Sequence, residues 1–329
     1  MYSITIDSGT TNTRVYIWRD KSPIASDILP VGLRDLLATG SHNTLISGIK
    51  TLLDARLAAL PDCQSESCLA IASGMITAEA GLCPLPHLTA PVALADLAQA
   101  AYPLIIPAIR NQPIWFIPGV KNNVVKVTPD DLDQMDMMRG EEVEAFGLIA
   151  QLAIRQPALI VLPGSHTKFI RVDERQRILG SCTTLAGELL DVLTHQTLLA
   201  SSLKHQFVQK LDVGFLHKGA ALCRQTGFSR SCFSVRLLDL FTGATHDQKA
   251  SFLLGIVLYT DLQAVKRSQA LRLTPDLPVF ISGQRLLSQG LAALIAADPW
   301  FTGPLRLAEE SHLKPLSGFG AIAVMEKRI

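Results

Sequence analysis

A loop of small, hydroxyl-bearing residues lies between the first two predicted strands, at residues 9–12. Consecutive backbone N–H groups and hydroxyls in such a loop form a concavity that binds phosphate oxygens, and Gly9 has no Cβ to obstruct it. Asp7, at the end of the preceding strand, is placed to hold Mg²⁺, because that ion prefers one or two carboxylates together with phosphate. Arg14, on the returning strand, can add positive charge to a phosphoryl group in transfer. A plain β-hairpin with an Asp cap explains the same residues.

A second loop of similar composition follows another short apolar strand, at residues 163–168. A shift of 155 residues, close to half the chain length, brings residues 9–13 onto residues 164–168. This internal similarity suggests two related domains, although five weakly matched residues leave duplication undecided. Two such hairpins facing each other across a cleft would form a nucleotide site without the classical Gly-x-x-x-x-Gly-Lys-Ser/Thr loop, which the chain lacks.

The second loop differs from the first in its charged residues. Leu162-Pro163 stands where the first loop has Asp7, so we expect a single Mg²⁺ held from the first domain. His166 and Lys168 either contact phosphate or edge the loop, and the pattern favours a phosphate contact for Lys168.

The elements that must position these loops are predicted from hydrophobic spacing. Alternation indicates strands at residues 2–7, 14–18 and 24–29, and short apolar runs indicate strands at 69–72, 158–162, 169–172 and 279–281. Residues 84–118 hold seven of the 18 prolines and are interpreted as strands and connections. Helical spacing covers residues 45–60, 141–155 and 284–297, with mixed helices from 185 to about 269.

Composition limits the class of protein. At 329 residues the chain is long enough for two domains, with 48% hydrophobic and 18% charged residues. A formal net charge of +1 argues against nucleic acid or an anionic membrane as partner. No apolar run reaches 18 residues, no secretory signal opens the sequence, and the six cysteines form no Cys-x-x-Cys pair. These features predict a cytoplasmic protein with reduced thiols and no metal-binding cysteine cluster; a homodimer is compatible with them.

The first loop and its strand, Ile-Asp-Ser-Gly-Thr-Thr-Asn-Thr-Arg, resemble the first phosphate motif of the actin-like ATPase superfamily. Within that superfamily, three further motifs are similar to the 2-dehydro-3-deoxygalactonokinase family. They are Met138-Arg139-Gly140-Glu141-Glu142, Leu162-Pro163-Gly164-Ser165-His166-Thr167-Lys168 and Leu185-Ala186-Gly187-Glu188-Leu189. Ile281-Ser282-Gly283 resembles the adenosine-side motif and Gly318-Phe319-Gly320 the terminal glycine motif, so the resemblance covers the whole chain.

The resemblance implies an α/β fold of two actin-like (ribonuclease H-like) domains with mixed sheets around a nucleotide cleft. We expect the boundary between residues 1–149 and 150–329. The residues expected to bind phosphate or nucleotide are Gly9, Thr10, Thr11, Asn12, Arg14, Gly164, Ser165, His166, Thr167, Lys168, Ser282 and Gly283, although Ser282 could instead be a helix N-cap.

The family also implies a catalytic base at the start of the helix before the second hairpin. Related sugar kinases have a Gly-Asp pair there, and this chain has Gly140-Glu141, with Glu142 as an equal chemical candidate. Register favours Glu141. Without the resemblance, carboxylates that favour a helix N-terminus explain both residues.

The reaction implied is ATP-dependent, Mg²⁺-dependent phosphorylation of the 6-hydroxyl of 2-dehydro-3-deoxy-D-galactonate in galactonate catabolism. Arg139 is a candidate partner of the substrate carboxylate, and Ser73, Gly74 and Met75 are candidate walls of the sugar pocket. Two alternatives are a kinase of another sugar acid, such as 2-dehydro-3-deoxygluconate, and a non-kinase actin-like ATPase that binds a protein partner.

Overall fold

The alternating residues at the N-terminus form an antiparallel hairpin in the computed structural model, which describes residues 2–60 and 68–328. Strand β1 (Tyr2–Ser8) pairs with β2 (Thr13–Arg19) so that Ser8 lies opposite Thr13 and the loop between them is only four residues long. The strand predicted next is β3 (Ser22–Leu29), antiparallel to β2. The apolar side chains of β1 and β2 are buried, and this fixes both strands in the sheet. The loop that joins them therefore lies at one end of the sheet.

The first sheet has the order β3-β2-β1-β4-β7-β6 among the described residues. Its remaining strands are β4 (Leu69–Gly74), β6 (Tyr102–Ile106) and β7 (Arg110–Phe116). A small sheet of β5 (Leu88–Thr89), β8 (Val120–Lys121) and β9 (Met137–Met138) lies in the segment between β4 and the next helix.

The second sheet repeats the first five positions of that order, as β12-β11-β10-β13-β14. Its strands are β10 (Ala158–Leu162), β11 (Thr167–Val172), β12 (Ile178–Thr184), β13 (Val279–Ile281) and β14 (Leu305–Leu307). In both sheets an antiparallel three-strand unit is followed by two strands that join in parallel, and the first sheet adds β6 antiparallel to β7. This shared topology confirms the expected α/β class with mixed sheets, and it supports the duplication suggested by the two loops. The domain boundary at residues 149 and 150 stays a prediction.

The helices of the N-terminal half are α1 (Leu33–Thr39), α2 (Asn43–Ala58), α3 (Leu94–Ala100) and α4 (Glu141–Leu152). Those that follow are α5 (Ala186–His195), α6 (Val213–Thr226), α7 (Phe228–Phe241), α8 (His246–Arg267), α9 (Arg285–Ala297) and α10 (Leu316–Glu326). The longest apolar run of the sequence, residues 252–259, lies in α8, where it is buried in the core of the second sheet. No helix in the described part of the chain is long and apolar enough to cross a membrane.

Several sequence-based bounds need correction. The proline-rich stretch 84–118 contains α3 as well as strands, and β4 extends through Ser73 and Gly74, beyond the strand predicted over residues 69–72. The helix expected over residues 141–155 ends at Leu152, where Ala153 adopts the left-handed conformation. Five cysteines are free thiols, as expected, while Cys63 lies outside the described residues.

Helices α4 and α10 approach each other closely through glycines, and this contact supports the helix that carries Glu141. A Cβ on Gly320 would overlap the carbonyl oxygen of Val143, and one on Gly147 would overlap that of Leu316. Backbone atoms cannot move aside as flexible side chains can, so the two helices would have to separate.

We therefore expect Gly320→Ala to lower the free energy of unfolding by about 1–3 kcal/mol, measured by thermal or denaturant unfolding. Gly243→Ala is the matched control, because nothing lies within 4 Å of a Cβ at that loop glycine. Equal stability of the two variants would contradict the close helix contact.

Candidate functional site

Both hairpin loops open onto one cleft of about 1250 Å³. Of the residues predicted from sequence, those that line it are Asp7, Gly9, Arg14, Arg139, Glu141, Gly164, Ser165, His166, Ser282 and Gly283. A smaller cavity of about 200 Å³ lies between the two loop tips and adds Thr10, Thr11 and Asn12 to the set. The fold therefore brings residues from both ends of the chain to a single site.

The first loop is held in a tight turn by its own backbone. The Gly9 N–H donates to the Asn12 carbonyl at 2.8 Å, and a Cβ on Gly9 would lie 3.3 Å from the same oxygen. At the base of the loop, the buried Thr13 hydroxyl lies 3.0 Å from Ser8 Oγ and donates to the Val31 carbonyl at 2.8 Å. These hydrogen bonds hold the loop in a tight turn, which suits a concavity lined with N–H groups.

The second loop is supported by the start of α5. A Cβ on Gly187 would lie 2.6 Å from the Cα of Ser165, and the Glu188 N–H donates to the Ser165 carbonyl at 3.1 Å. His166 Nε2 lies 3.1 Å from a carboxylate oxygen of Glu188, and both side chains line the cleft. The loop therefore presents an imidazole and a carboxylate as well as its backbone.

Asp7 is the acidic residue nearest the first loop. Its side chain is only 13% exposed, and its carboxylate lies 3.6 Å from the Arg14 guanidinium. Burial raises the pKa of Asp7, while Arg14 and a hydrogen bond from Ser317 partly oppose that rise. A partly buried carboxylate that opens on the cleft can bind a cation there, because the cation restores the lost solvation.

Glu141 and Glu142 are adjacent in sequence but point to different environments. Glu141 lines the cleft and accepts a hydrogen bond from the Arg139 N–H at 3.0 Å. Glu142 is fully buried, and its two oxygens accept the Gly140 N–H at 2.9 and 2.8 Å. Neighbours on a helix project about 100° apart, so only one of the two can face the cleft. The structure therefore argues against Glu142 as the base.

Glycines at two positions set the start of α4. Gly140 has a φ of +114°, and a Cβ there would lie 3.2 Å from the Cα of Gly74. Gly74 itself has a φ of +84°, and a Cβ there would overlap the carbonyl oxygen of Ser8. Side chains would be strained in both conformations, so glycine is required for α4 to begin directly behind the first hairpin. Gly74 thus positions Glu141; it does not line the cleft.

The cleft also contains the carboxylate of Glu144, which sequence reasoning missed. It lies one turn after Glu141 on the same helix face and lines the same cavity. Burial raises the pKa of Glu144 well above its usual range, and the charges of Asp7 and Glu141 raise it further. The i, i+3 spacing from Glu141 was the signal that could have identified it.

Arg139 was expected to hold the substrate carboxylate, but its guanidinium is occupied elsewhere. One terminal nitrogen donates to the Thr77 carbonyl and hydroxyl, each at 2.7 Å, and the other donates to the Leu85 carbonyl at 3.0 Å and lies 3.2 Å from His87 Nδ1. These contacts join α4 to the segment after β4, which is a structural role. Met75 and the buried Ser73, like Gly74, do not line the cleft.

Lys168 and Thr167 also differ from expectation. The Lys168 ammonium donates to the Met137 carbonyl at 2.7 Å and to the Thr183 hydroxyl at 2.6 Å, and the side chain is 6% exposed. Thr167 is fully buried within β11. Thr167 and Lys168 are the first two residues of β11, and the segments packed beside that strand cover both side chains. The structure therefore contradicts a phosphate contact by Lys168.

The turn after β13 closes the opposite side of the cleft. Ser282 is fully buried, and its hydroxyl has no hydrogen-bond partner in the described structure. The N-cap of α9 is Gln284, which accepts the Leu287 N–H at 2.8 Å, so the alternative of Ser282 as N-cap is wrong. The Gln284 N–H donates to the Pro163 carbonyl at 3.0 Å and joins this turn to the second loop.

The environment of Glu142 predicts a pH effect on stability. Burial raises its pKa to about 8, with a further contribution from Glu141, from a usual value of 4.5. The protonated form is therefore favoured in the folded state, and its contribution to stability is complete below about pH 4.5 and is lost as the pH rises through 8. We expect Glu142→Gln to melt several degrees above the wild type at pH 9 and close to it at pH 4.5. A difference in melting temperature between the two proteins that stays the same from pH 4.5 to pH 9 would contradict the raised pKa of Glu142.

Comparison with known proteins gives a consistent result. The family model of 2-keto-3-deoxy-galactonokinase matches residues 7–298. The chain is 24% identical over 269 residues to the 2-dehydro-3-deoxygalactonokinase of Escherichia coli K12, with 80% of each protein covered. It also superposes on the crystal structure of a candidate 2-dehydro-3-deoxygalactonokinase from Sinorhizobium meliloti, with a TM-score of 0.73 at 22% identity. That superposition covers 99% of this chain and 98% of the other, and it supports the fold described above.

Proposed function

This chain belongs to the 2-keto-3-deoxy-galactonokinase family and is an ATP-dependent carbohydrate kinase, and from that premise we propose that it phosphorylates the 6-hydroxyl of 2-dehydro-3-deoxy-D-galactonate. The observation that carries the proposal is the meeting of two hairpin loops and the Glu141 carboxylate at one cleft. Phosphoryl transfer to a hydroxyl needs those parts together: a cradle for phosphate and a carboxylate beside the acceptor.

In the proposed mechanism, the backbone of the first loop and of residues 164–166 holds the terminal phosphates from opposite sides. Glu141 accepts the proton of the substrate hydroxyl as that oxygen attacks the γ-phosphorus, while the bond from that phosphorus to the β,γ-bridging oxygen breaks and ADP leaves. Arg14 stabilises negative charge on the transferred group. Closure of the cleft would exclude water and align the reacting atoms.

The nucleoside is proposed to lie against the turn after β13. Ser282 offers a buried hydroxyl without a partner in the described structure, and Gly283 packs its backbone against Pro163, which brings this turn next to the second loop. Apolar side chains on this side of the cleft suit a purine base; they are Leu190, Phe207 and Leu287.

The cleft also fits Mg²⁺ bound together with nucleotide. No group of three or more metal-ligating side chains occurs in the described residues, which is the expected situation for an ion held by one or two carboxylates and by phosphate oxygens. Asp7 is the proposed protein ligand. When bound, the ion would neutralise phosphate charge during transfer.

A coupled ADP-release assay with the purified protein tests the substrate. We expect turnover with 2-dehydro-3-deoxy-D-galactonate at a kcat/KM well above that for the gluconate-derived epimer, with the phosphate located at C6 by NMR. Preference for the other epimer would overturn the substrate assignment, and ATP hydrolysis unaffected by either acid would favour an ATPase. A role in galactonate catabolism follows from the proposed substrate, and a cytoplasmic location is proposed with it.

A further inference from the structure

Arg34, at the start of α1, faces the two phosphate loops. Its backbone N–H donates to the Thr10 carbonyl at 2.9 Å, and the Leu33 N–H donates to the Gly9 carbonyl at 3.1 Å. The preceding Gly32 touches the loop so closely that a Cβ there would lie 2.6 Å from backbone atoms of Thr10 and Thr11. The position of Arg34 is therefore tied to the first loop, and any movement of the loop carries Arg34 with it.

A related backbone contact occurs at the second loop, where the Glu188 N–H donates to the Ser165 carbonyl as the Arg34 N–H does to Thr10. Gly32 and Gly187 are separated by the same 155 residues as Gly9 and Gly164, and each glycine supports one loop. The residue that lines the cavity beside the second loop is Glu188, which lies 3.1 Å from His166. Arg34, beside the first loop, and Glu188, beside the second, therefore line the same cavity with opposite charges.

The Arg34 side chain has no competing partner. It lines both the main cleft and the smaller cavity between the loop tips. Within residues 2–60 and 68–328, no carboxylate lies within 4.0 Å of its guanidinium and no hydrogen bond is made by it. By contrast, the Lys168 ammonium already donates to Met137 and Thr183, and the Arg14 guanidinium lies beside the Asp7 carboxylate.

The cleft needs such a cation. Five carboxylates line it, from Asp7, Glu141, Glu144, Glu188 and Asp191, and a nucleoside triphosphate would bring further negative charge. A guanidinium matches phosphate oxygens with two parallel hydrogen bonds, and it stays charged at every relevant pH. An arginine without a partner between two phosphate loops is suited to that contact.

We infer that Arg34 binds the terminal phosphates of the nucleotide. It makes the cationic contact that the sequence pattern had predicted for Lys168. This inference rests on the proposed kinase function. It adds a contact from α1, outside every motif that identified the family.

Titration calorimetry of AMP, ADP and ATP with Arg34→Ala tests the inference. We expect ATP to bind roughly ten-fold more weakly than to the wild type and AMP to bind within about two-fold of it, because only the terminal phosphates lose a charge-assisted contact. Arg34→Lys should recover part of the loss, since it restores a point charge without the fork. Arg224→Ala, an exposed arginine on α6 away from the cleft, is the matched control.

Unchanged ATP binding in Arg34→Ala would overturn the inference, and so would an equal loss for AMP and ATP. A raised KM for the sugar acid with unchanged nucleotide binding would also overturn it and assign Arg34 to the substrate carboxylate. If the wild type binds ATP but phosphorylates neither acid, the proposed substrate fails while the Arg34 result stands. A wild type that binds no ATP would remove both.

Discussion

Replacing Glu141 by Gln is expected to lower kcat by about 10²- to 10⁴-fold while leaving the Kd for ATP within about two-fold. Gln keeps the size of the side chain and can still occupy the position 3.0 Å from the Arg139 N–H, but it cannot accept a proton from the substrate hydroxyl. The measurement is steady-state turnover with the sugar acid, together with nucleotide binding by calorimetry, so that loss of chemistry is separated from loss of binding.

Glu142→Gln is the control that the chain itself offers. Its carboxyl group is buried, and its pKa is raised to about 8, so at pH 7 a neutral amide replaces a group that is largely neutral already. We expect turnover within a few-fold of the wild type. If Glu142→Gln lost activity and Glu141→Gln kept it, the two roles would have to be exchanged. Equal activity of both variants would point to Glu144, which lines the cleft one helical turn further on.

Asp7→Asn is the second substitution with a large expected effect. We expect kcat to fall by roughly 10²-fold and the Mg²⁺ concentration for half-maximal activity to rise, because the cleft loses the carboxylate proposed to hold the ion. Burial raises the pKa of Asp7, which means that ionisation of this residue opposes folding. The neutral Asn is therefore expected to fold, and a melting temperature at or above that of the wild type at neutral pH would verify it.

Asp54→Asn serves as the control for Asp7→Asn. Asp54 is exposed on α2, where it pairs with Lys50 at 2.9 Å, far from the cleft-lining set. Its removal should leave the Mg²⁺ dependence unchanged. An Asp7→Asn enzyme with the same Mg²⁺ requirement as this control would disprove the metal role of Asp7.

Much of the scaffold could be predicted from local patterns. The β1–β2 hairpin follows from alternating residues around a loop of small ones, and its paired residues lie between 5 and 17 positions apart, from Ser8–Thr13 to Tyr2–Arg19. The start of α4 at Glu141 and the strand β10 before the second loop were located for the same reason. The similarity of residues 9–13 to 164–168 suggested two related domains and left duplication undecided, and the repeated sheet order supports it.

The errors concern side chains whose partners are distant in sequence. Lys168 carries the charge and the position expected of a phosphate ligand, but its partner Met137 lies 31 residues away. Arg139 is anchored by Thr77, 62 residues earlier, and no local pattern indicates that contact. A charged side chain is drawn to whichever buried acceptors the packed chain leaves unpaired, because leaving them unpaired costs free energy.

The sequence by itself therefore located the two hairpin loops and indicated the α/β class, because both depend on small, apolar and β-branched residues close together in the chain. Its motifs also identified the family to which the chain belongs. Only the tertiary structure decided which charged groups remain in the cleft: Glu141 and Glu144 but not Glu142, and Arg34 but not Lys168. That selection depends on which helix face meets the cavity and on which acceptors long-range packing supplies.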